Sequence, residues 1–167
     1  SSDVCSSDLV AAMTDLLAHR GPDDSGLWTS VDGRCVLGHR RLSIIDPTPA
    51  GHQPMIRNAQ VITFNGEIYN YLELAERLKQ EGVRFNTHSD TEVLLAAYHR
   101  WGESCVAEFN GMFAFAIHDA DRRVLFCARD RFGEKPFLFR ASADFFAFAS
   151  EYKALMRIDR VVEKTDD

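Results

Sequence analysis

No Cys-x-x-Cys pair and no histidine at ligand spacing occur in this chain, although it holds four cysteines in 167 residues. Cys5, Cys35, Cys105 and Cys127 are too scattered for a zinc knuckle and read as reduced thiols of a cytoplasmic protein. No metal site is expected. Long apolar runs are missing too: Asp, Arg or His interrupts every hydrophobic stretch well short of a membrane span, and no apolar segment of a signal peptide is found. Positive charge is in deficit, with 19 Lys and Arg against 25 Asp and Glu and a net charge of −6. Neither nucleic acid nor an anionic membrane is therefore an expected partner. After residue 9 there is no internal repeat or low-complexity linker, and nothing marks a second domain. What is present suits a soluble globular domain with a sizeable core: 46% hydrophobic and 26% charged residues, and twelve Phe, several at alternating positions.

Residues 1–9 stand apart. They repeat Ser-Ser-Asp and show neither helical nor strand period, and they resemble the conceptual translation of a sequencing-library adapter. The expectation is a non-native, disordered scar ahead of one incomplete domain over 10–167.

From Val10 onward the pattern is organised. Val10, Met13, Leu16 and Leu17 predict a helix over 10–18, broken by the Gly21-Pro22-Asp23 turn. Strand signals cover 35–38, 41–45 and 61–64. Leu72, Leu74, Ala75 and Leu78 predict an amphipathic helix over 71–80, and a second helix over 91–101 has Ser89 or Asp90 placed to cap it. Four turn-linked strands follow at 112–118, 124–128, 136–139 and 145–149, which suggests antiparallel sheet. Phe113, Phe115, Phe146 and Phe148 read as core aromatics, and 163–167 as a frayed end.

The run Val61-Ile62-Thr63-Phe64 ends in Asn65-Gly66, where a strand breaks into a turn. There a side-chain amide and a glycine N–H can converge, as a developing oxyanion requires; an ordinary turn is the bland alternative. Arg41, at the edge of an apolar strand, suits bidentate capture of a carboxylate, or else is a solvated arginine. Asp90 is an N-cap or a counter-charge for an ammonium group, a task Glu67 could share. One cation, two anions and an amide-plus-glycine pair suit a free α-amino acid with a side-chain carbonyl.

Several strings then resemble one family, in its order: His19-Arg20-Gly21-Pro22-Asp23, Arg41-Leu42-Ser43-Ile44-Ile45-Asp46, Ala50-Gly51-His52-Gln53-Pro54-Met55, Asn65-Gly66-Glu67-Ile68-Tyr69-Asn70, Ser89-Asp90-Thr91-Glu92, Gly111-Met112-Phe113-Ala114-Phe115 and Arg129-Asp130-Arg131-Phe132-Gly133-Glu134-Lys135-Pro136. Together they resemble the glutaminase domain of glutamine-hydrolysing asparagine synthetases. The resemblance implies an α+β fold, the N-terminal-nucleophile αββα sandwich of two antiparallel sheets between helical layers, here with the first strand missing. It implies that Arg41 binds the α-carboxylate of L-glutamine, that Leu42, Ser43, Ile44 and Ile45 form the strand beside it, that Asn65 and Gly66 make the oxyanion hole, and that Glu67 and Asp90 hold the α-ammonium. The implied nucleophile is an N-terminal cysteine; Cys5 lacks an apolar strand behind it and is not expected to serve, so the chain as written is expected to be inactive. His19, Arg20 and the 129–133 string are expected to be structural, the latter near a synthetase domain.

No cofactor is implied within this domain. ATP and Mg belong to a C-terminal synthetase domain, whose Ser-Gly-Gly-x-Asp loop this sequence does not contain, and that domain is an implied partner. A second copy of the chain is an admissible one. Two alternatives stay open: a glutaminase domain serving another acceptor, and a non-catalytic glutamine-binding module. Glucosamine-phosphate and phosphoribosylamine-forming amidotransferases carry a different arginine strand and His-Asn-Gly at the turn, so Phe64-Asn65-Gly66-Glu67 speaks against them.

Overall fold

The computed structural model describes residues 6–43 and 48–165, with backbone alone for 159–165. The first helix, α1 (Ser6–Asp15), starts four residues earlier than the apolar spacing predicts. Asp8 in its first turn suits the positive end of the helix dipole, and Leu9 extends the apolar stripe onto Met13 and its neighbours. Residues 6–9 are thus helical, not disordered.

Strand β1 (Asp24–Thr29) pairs antiparallel with β2 (Val36–Arg41). β1 begins at the end of the expected turn and covers residues for which no strand was predicted. β2 joins what read as two strands and stops at Arg41, so Leu42 and Ser43 are not strand. After a loop with a cis Gln53–Pro54 bond come β3 (Met55–Arg57) and β4 (Gln60–Ile68). Helices α2 (Tyr71–Gln80) and α3 (Asp90–Trp101) precede β5 (Gly111–Asp119) and β6 (Val124–Arg129). The hairpin β7 (Leu138–Ala141) and β8 (Phe146–Ala149) leads into α4 (Tyr152–Thr165).

Burial organises these elements into layers. Ile62, Phe64 and Ile68 project from one face of β4 into the main core, with Leu74 and Leu78 of α2 and Val93, Leu94 and Ala97 of α3. Every residue of α3 from Asp90 to Tyr98 is buried, so this helix is the spine of the domain. The four-stranded sheet runs β3-β4-β5-β6. On its other side lie the hairpins β1-β2 and β7-β8, and α1 and α4 cover them through a second cluster of Met13, Ala149, Ala154, Leu155 and Ile158. The order is helix, sheet, sheet, helix. Among the described residues the second sheet layer is two separate hairpins instead of one continuous sheet. Phe113 and Phe115 are core aromatics as expected, whereas Phe146 is 45% exposed, because its hairpin borders open space.

Candidate active site

Antiparallel pairs alternate between those that exchange backbone hydrogen bonds and those that do not. Along β4, the Phe64 N–H donates to Oε1 of Gln53 at 2.7 Å, and the Ile68 N–H donates to Oδ2 of Asp90 at 3.0 Å. Even-numbered residues of this stretch therefore turn their amides away from β5. Gly66 lies midway between them, so its N–H points to the same open edge. Asn65, with Thr63 and Glu67, projects from the face opposite Ile62, Phe64 and Ile68. Asn65, Gly66 and Glu67 all line a cavity of about 870 Å³ between the sheet layers. Gly66 has φ of 154° and pairs with Phe113; a Cβ there would overlap the Met112 carbonyl oxygen. Only glycine lets the strand keep its pairing and offer that amide.

Arg41 closes β2 at 7% exposure, and its Nη1 donates to the Thr48 carbonyl at 3.0 Å. Leu42 lines the same cavity but is 56% exposed. The Ser43 N–H donates to Oδ2 of Asp23 at 2.8 Å, and Ser43 does not line the cavity. The expected strand beside the ligand is thus a turn held by Asp23. Ile44 and Ile45 lie outside the described residues. The structure brings Arg41, Leu42, Asn65, Gly66, Glu67 and Asp90 together.

The electrostatics separate cation from anions. Burial raises the Asp90 carboxyl to about 6, and the negative charge of Glu67 adds to the rise against the opposing Ile68 N–H. Two carboxylates facing one cavity favour a cationic occupant. His39, two residues before Arg41 on the same face of β2, is pushed down to about 4 by burial and then by the Arg41 charge. Its Nδ1 lies 3.1 Å from the Thr63 hydroxyl, which reaches the Gly38 carbonyl at 3.3 Å. The carbonyl can only accept, so the hydroxyl proton goes there and His39 donates from Nδ1. Asp24 is lowered on balance: burial opposes this, but the His52 ring at 2.7 Å outweighs it.

The cysteines described are not activated. Burial raises Cys35 and Cys127 to about 11 and Cys105 to about 12, leaving them as thiols at neutral pH. Cys5 lies outside the described residues. Among those residues no cluster of His, Cys, Asp and Glu suited to a metal ion occurs, and no helix is long and apolar enough to cross a membrane. The two strings expected to be structural have structural contacts. His19 and Arg20 bond Glu151 at 2.7 and 3.1 Å. Asp130 accepts the backbone N–H groups of Phe132, Glu134 and Lys135 at 2.9 to 3.1 Å, and that of Phe113 at 3.3 Å. Burial works against its charge, yet these donors hold it down to about 2.

One further feature concerns strand edges. Side chains of a strand alternate between faces, so a strand touches a cavity with every residue only where its edge is open. Every residue from 34 to 42 and from 144 to 150 lines this cavity. Among the described residues the strand beside β2 is β1, with Pro22 bridging Arg41 at its end, and the strand beside β8 is β7, leaving two open edges on one slot.

Comparison with known proteins matches the whole chain, residues 1–167, to a family described as "Glutamine amidotransferase domain". The chain is 46% identical over 163 residues to a putative glutamine-hydrolyzing asparagine synthetase of Mycobacterium tuberculosis, covering 92% of this chain and 25% of that protein. It is 42% identical over 158 residues to glutamine-hydrolyzing asparagine synthetase 3 of Bacillus subtilis, with the same coverage. A third relative, Amidase chry2 of Gibberella zeae, is 39% identical over 144 residues, covering 85% of this chain and 21% of that protein. The chain therefore spans about a quarter of the length of the curated relatives it matches. Among solved structures, the glutamine phosphoribosylpyrophosphate amidotransferase of Bacillus subtilis superposes with a TM-score of 0.75 at 22% identity, covering 90% of this chain and 40% of that one. That likeness fixes the fold alone: the α+β sandwich of the N-terminal-nucleophile amidotransferases.

Proposed function

Because this chain belongs to the glutamine amidotransferase domain family, we propose that its cavity binds L-glutamine and holds the side-chain amide for hydrolysis to glutamate and ammonia. The observation that carries this reading is the Gly66 amide, left pointing at the cavity while Gln53 and Asp90 occupy the amides on either side. A donor so placed, with the Asn65 side chain beside it, suits the oxyanion of a tetrahedral intermediate. Arg41 faces the α-carboxylate, and Glu67 and Asp90 face the α-ammonium. The raised Asp90 carboxyl supports the last assignment, since an arriving ammonium relieves the repulsion between the two acids.

The attacking group in this reading is the thiolate of an N-terminal cysteine, carried on a strand that fills the slot between the open edges of β2 and β8. Its sulfur adds to the amide carbon, and collapse of the intermediate expels ammonia and leaves a thioester. Water then releases glutamate and restores the thiol. The free α-amine is the proton shuttle. Ammonia passes to a synthetase domain in the same polypeptide, where ATP with Mg activates aspartate for conversion to asparagine, in the cytoplasm. The likeness to glutamine-hydrolyzing asparagine synthetases supports this acceptor. A second reading, an acceptor other than aspartate, draws on the likeness to Amidase chry2.

Calorimetry with L-glutamine and an ammonia assay test the proposal together. The chain as written is expected to bind L-glutamine without releasing ammonia; the same chain preceded by a Met-Cys-Gly strand is expected to release it. Equal ammonia release from both, or no glutamine binding by either, refutes the reading.

A further inference from the structure

The string Ala50-Gly51-His52-Gln53-Pro54-Met55 supplies none of the groups assigned to glutamine, yet it places one side chain at the centre of the site. Gln53 is 6% exposed, a polar residue buried between the 48–54 loop, β4 and α3. Both ends of its amide are engaged. Oε1 accepts the Phe64 N–H at 2.7 Å, and Nε2 reaches the Thr91 hydroxyl at 3.4 Å. Phe64 is the residue before Asn65, and Thr91 is the residue after Asp90. The amide therefore spans from the strand that carries the oxyanion donors to the helix end that carries an ammonium anchor.

The chemistry of that span is specific. Among the described residues β4 has no strand neighbour on this edge here, because β3 pairs with residues 60–62. The amide of Phe64 would otherwise be a buried, unpaired donor on a free strand edge, a costly arrangement. Gln53 takes the place of the missing strand for one residue, and Asp90 does the same at Ile68. Between these two clamps the chain can turn only one amide, that of Gly66, into the cavity. A carboxamide suits the task, since it accepts at one end, donates at the other and carries no charge. A carboxylate there would add a third anion beside Glu67 and Asp90.

We infer that Gln53, which lines the cavity with its polar atoms already engaged by Phe64 and Thr91, is a positioning residue for the reaction, fixing the angle and distance between the Asn65–Gly66 donors and the helix end at Asp90. The inference rests on the glutamine-binding reading. It implies that Gln53 matters for recognising the side-chain carbonyl of the ligand and hardly at all for its α-groups.

Two ligands separate these contributions. L-Glutamine engages both regions, whereas L-norvaline offers the same α-carboxylate and α-ammonium but no side-chain carbonyl. With the chain as it stands, titrations followed by calorimetry or NMR are expected to show tighter binding of L-glutamine than of L-norvaline. Gln53→Leu is expected to weaken L-glutamine binding about tenfold, the size of one lost well-aligned hydrogen bond, with L-norvaline changed less than about twofold. Thr91→Val leaves the bond to Phe64 in place and removes only the partner of Nε2. It is expected to give a smaller loss in the same direction, and it serves as the test if Gln53→Leu does not fold. Equal weakening of both ligands would mean that Gln53 merely supports the fold, and unchanged glutamine binding would mean that it positions nothing; either overturns the inference. If the parent chain does not prefer L-glutamine to L-norvaline, the glutamine reading itself fails and takes this inference with it.

Discussion

Glutamine affinity should depend on pH through Asp90, and the structure sets both the midpoint and the sign. Burial and the neighbouring Glu67 raise this carboxyl from its ordinary 3.8 to about 6. A raised acid binds its proton more tightly when folded than when unfolded. Its ionisation therefore costs stability as pH rises from 3.8 to about 6, on the order of 3 kcal/mol in the limit. An ammonium ligand needs the ionised form and returns part of that cost. Between pH 8 and pH 5 the ionised fraction falls from nearly all to about one in eleven. The dissociation constant should rise about tenfold over that range, or ~1.4 kcal/mol. Near pH 6 each bound glutamine should release roughly half a proton, detectable by calorimetry in buffers of different ionisation enthalpy. His19 and His52 stand in ion pairs with Glu151 and Asp24, so Asp90→Asn is the control. It should bind more weakly at pH 8 and lose the slope. A flat profile in the parent chain, or an unchanged slope in Asp90→Asn, refutes the assignment of Asp90 to the ammonium.

Gly66→Ala should cost about 3 kcal/mol or more in urea unfolding, since the new methyl meets a sheet carbonyl at a backbone angle side chains avoid; a change under about 1 kcal/mol would contradict the strand geometry. Asp130→Asn should cost about 2–4 kcal/mol, because one amide oxygen cannot serve the four N–H groups now shared by two. The contribution of Asp130 is present above its ordinary 3.8 and lost as pH falls towards about 2, so unfolding at pH 7 and pH 3 should show the variant's deficit shrinking. Cys35, Cys105 and Cys127 should resist iodoacetamide at pH 7.5 until denaturant is added; fast labelling of native Cys105, read by mass spectrometry, would contradict its burial.

The parts of the site that could be read in the sequence are those whose signal is local. Asn65-Gly66 ends a β-branched and aromatic run, and Ser89-Asp90 precedes a helix, with Ser89 accepting the Glu92 N–H as a cap should. β1 was hidden because Asp23-Asp24-Ser25-Gly26 has turn composition, and its strand is fixed by pairing with β2 instead of by apolar alternation. β2 looked like two strands because His39 and Arg41 turn polar groups to a cavity where a core strand would have apolar ones. The strand expected through Ser43 gives way to a turn because Asp23, twenty residues away, takes its N–H. Gln53 stood out only as part of the Ala50–Met55 string and Thr63 only as part of a strand run, and neither showed what its side chain bonds. Their partners lie on other elements, 11 to 38 residues away for Gln53 and 24 and 25 for Thr63.

The cavity between the sheet layers also has a volumetric consequence. Pressure favours whichever state has the smaller volume, and imperfectly packed layers beside a cleft are filled more efficiently by water once they separate. The helices α2 and α3 and the four-stranded sheet enclose a close-packed core, while the hairpins β1-β2 and β7-β8 border the cavity of about 870 Å³. Under hydrostatic pressure the hairpin layer with α1 and α4 should give way first, with the α2–α3 core surviving to higher pressure. L-Glutamine, by occupying part of that space, should move the first transition upward and leave the second where it is.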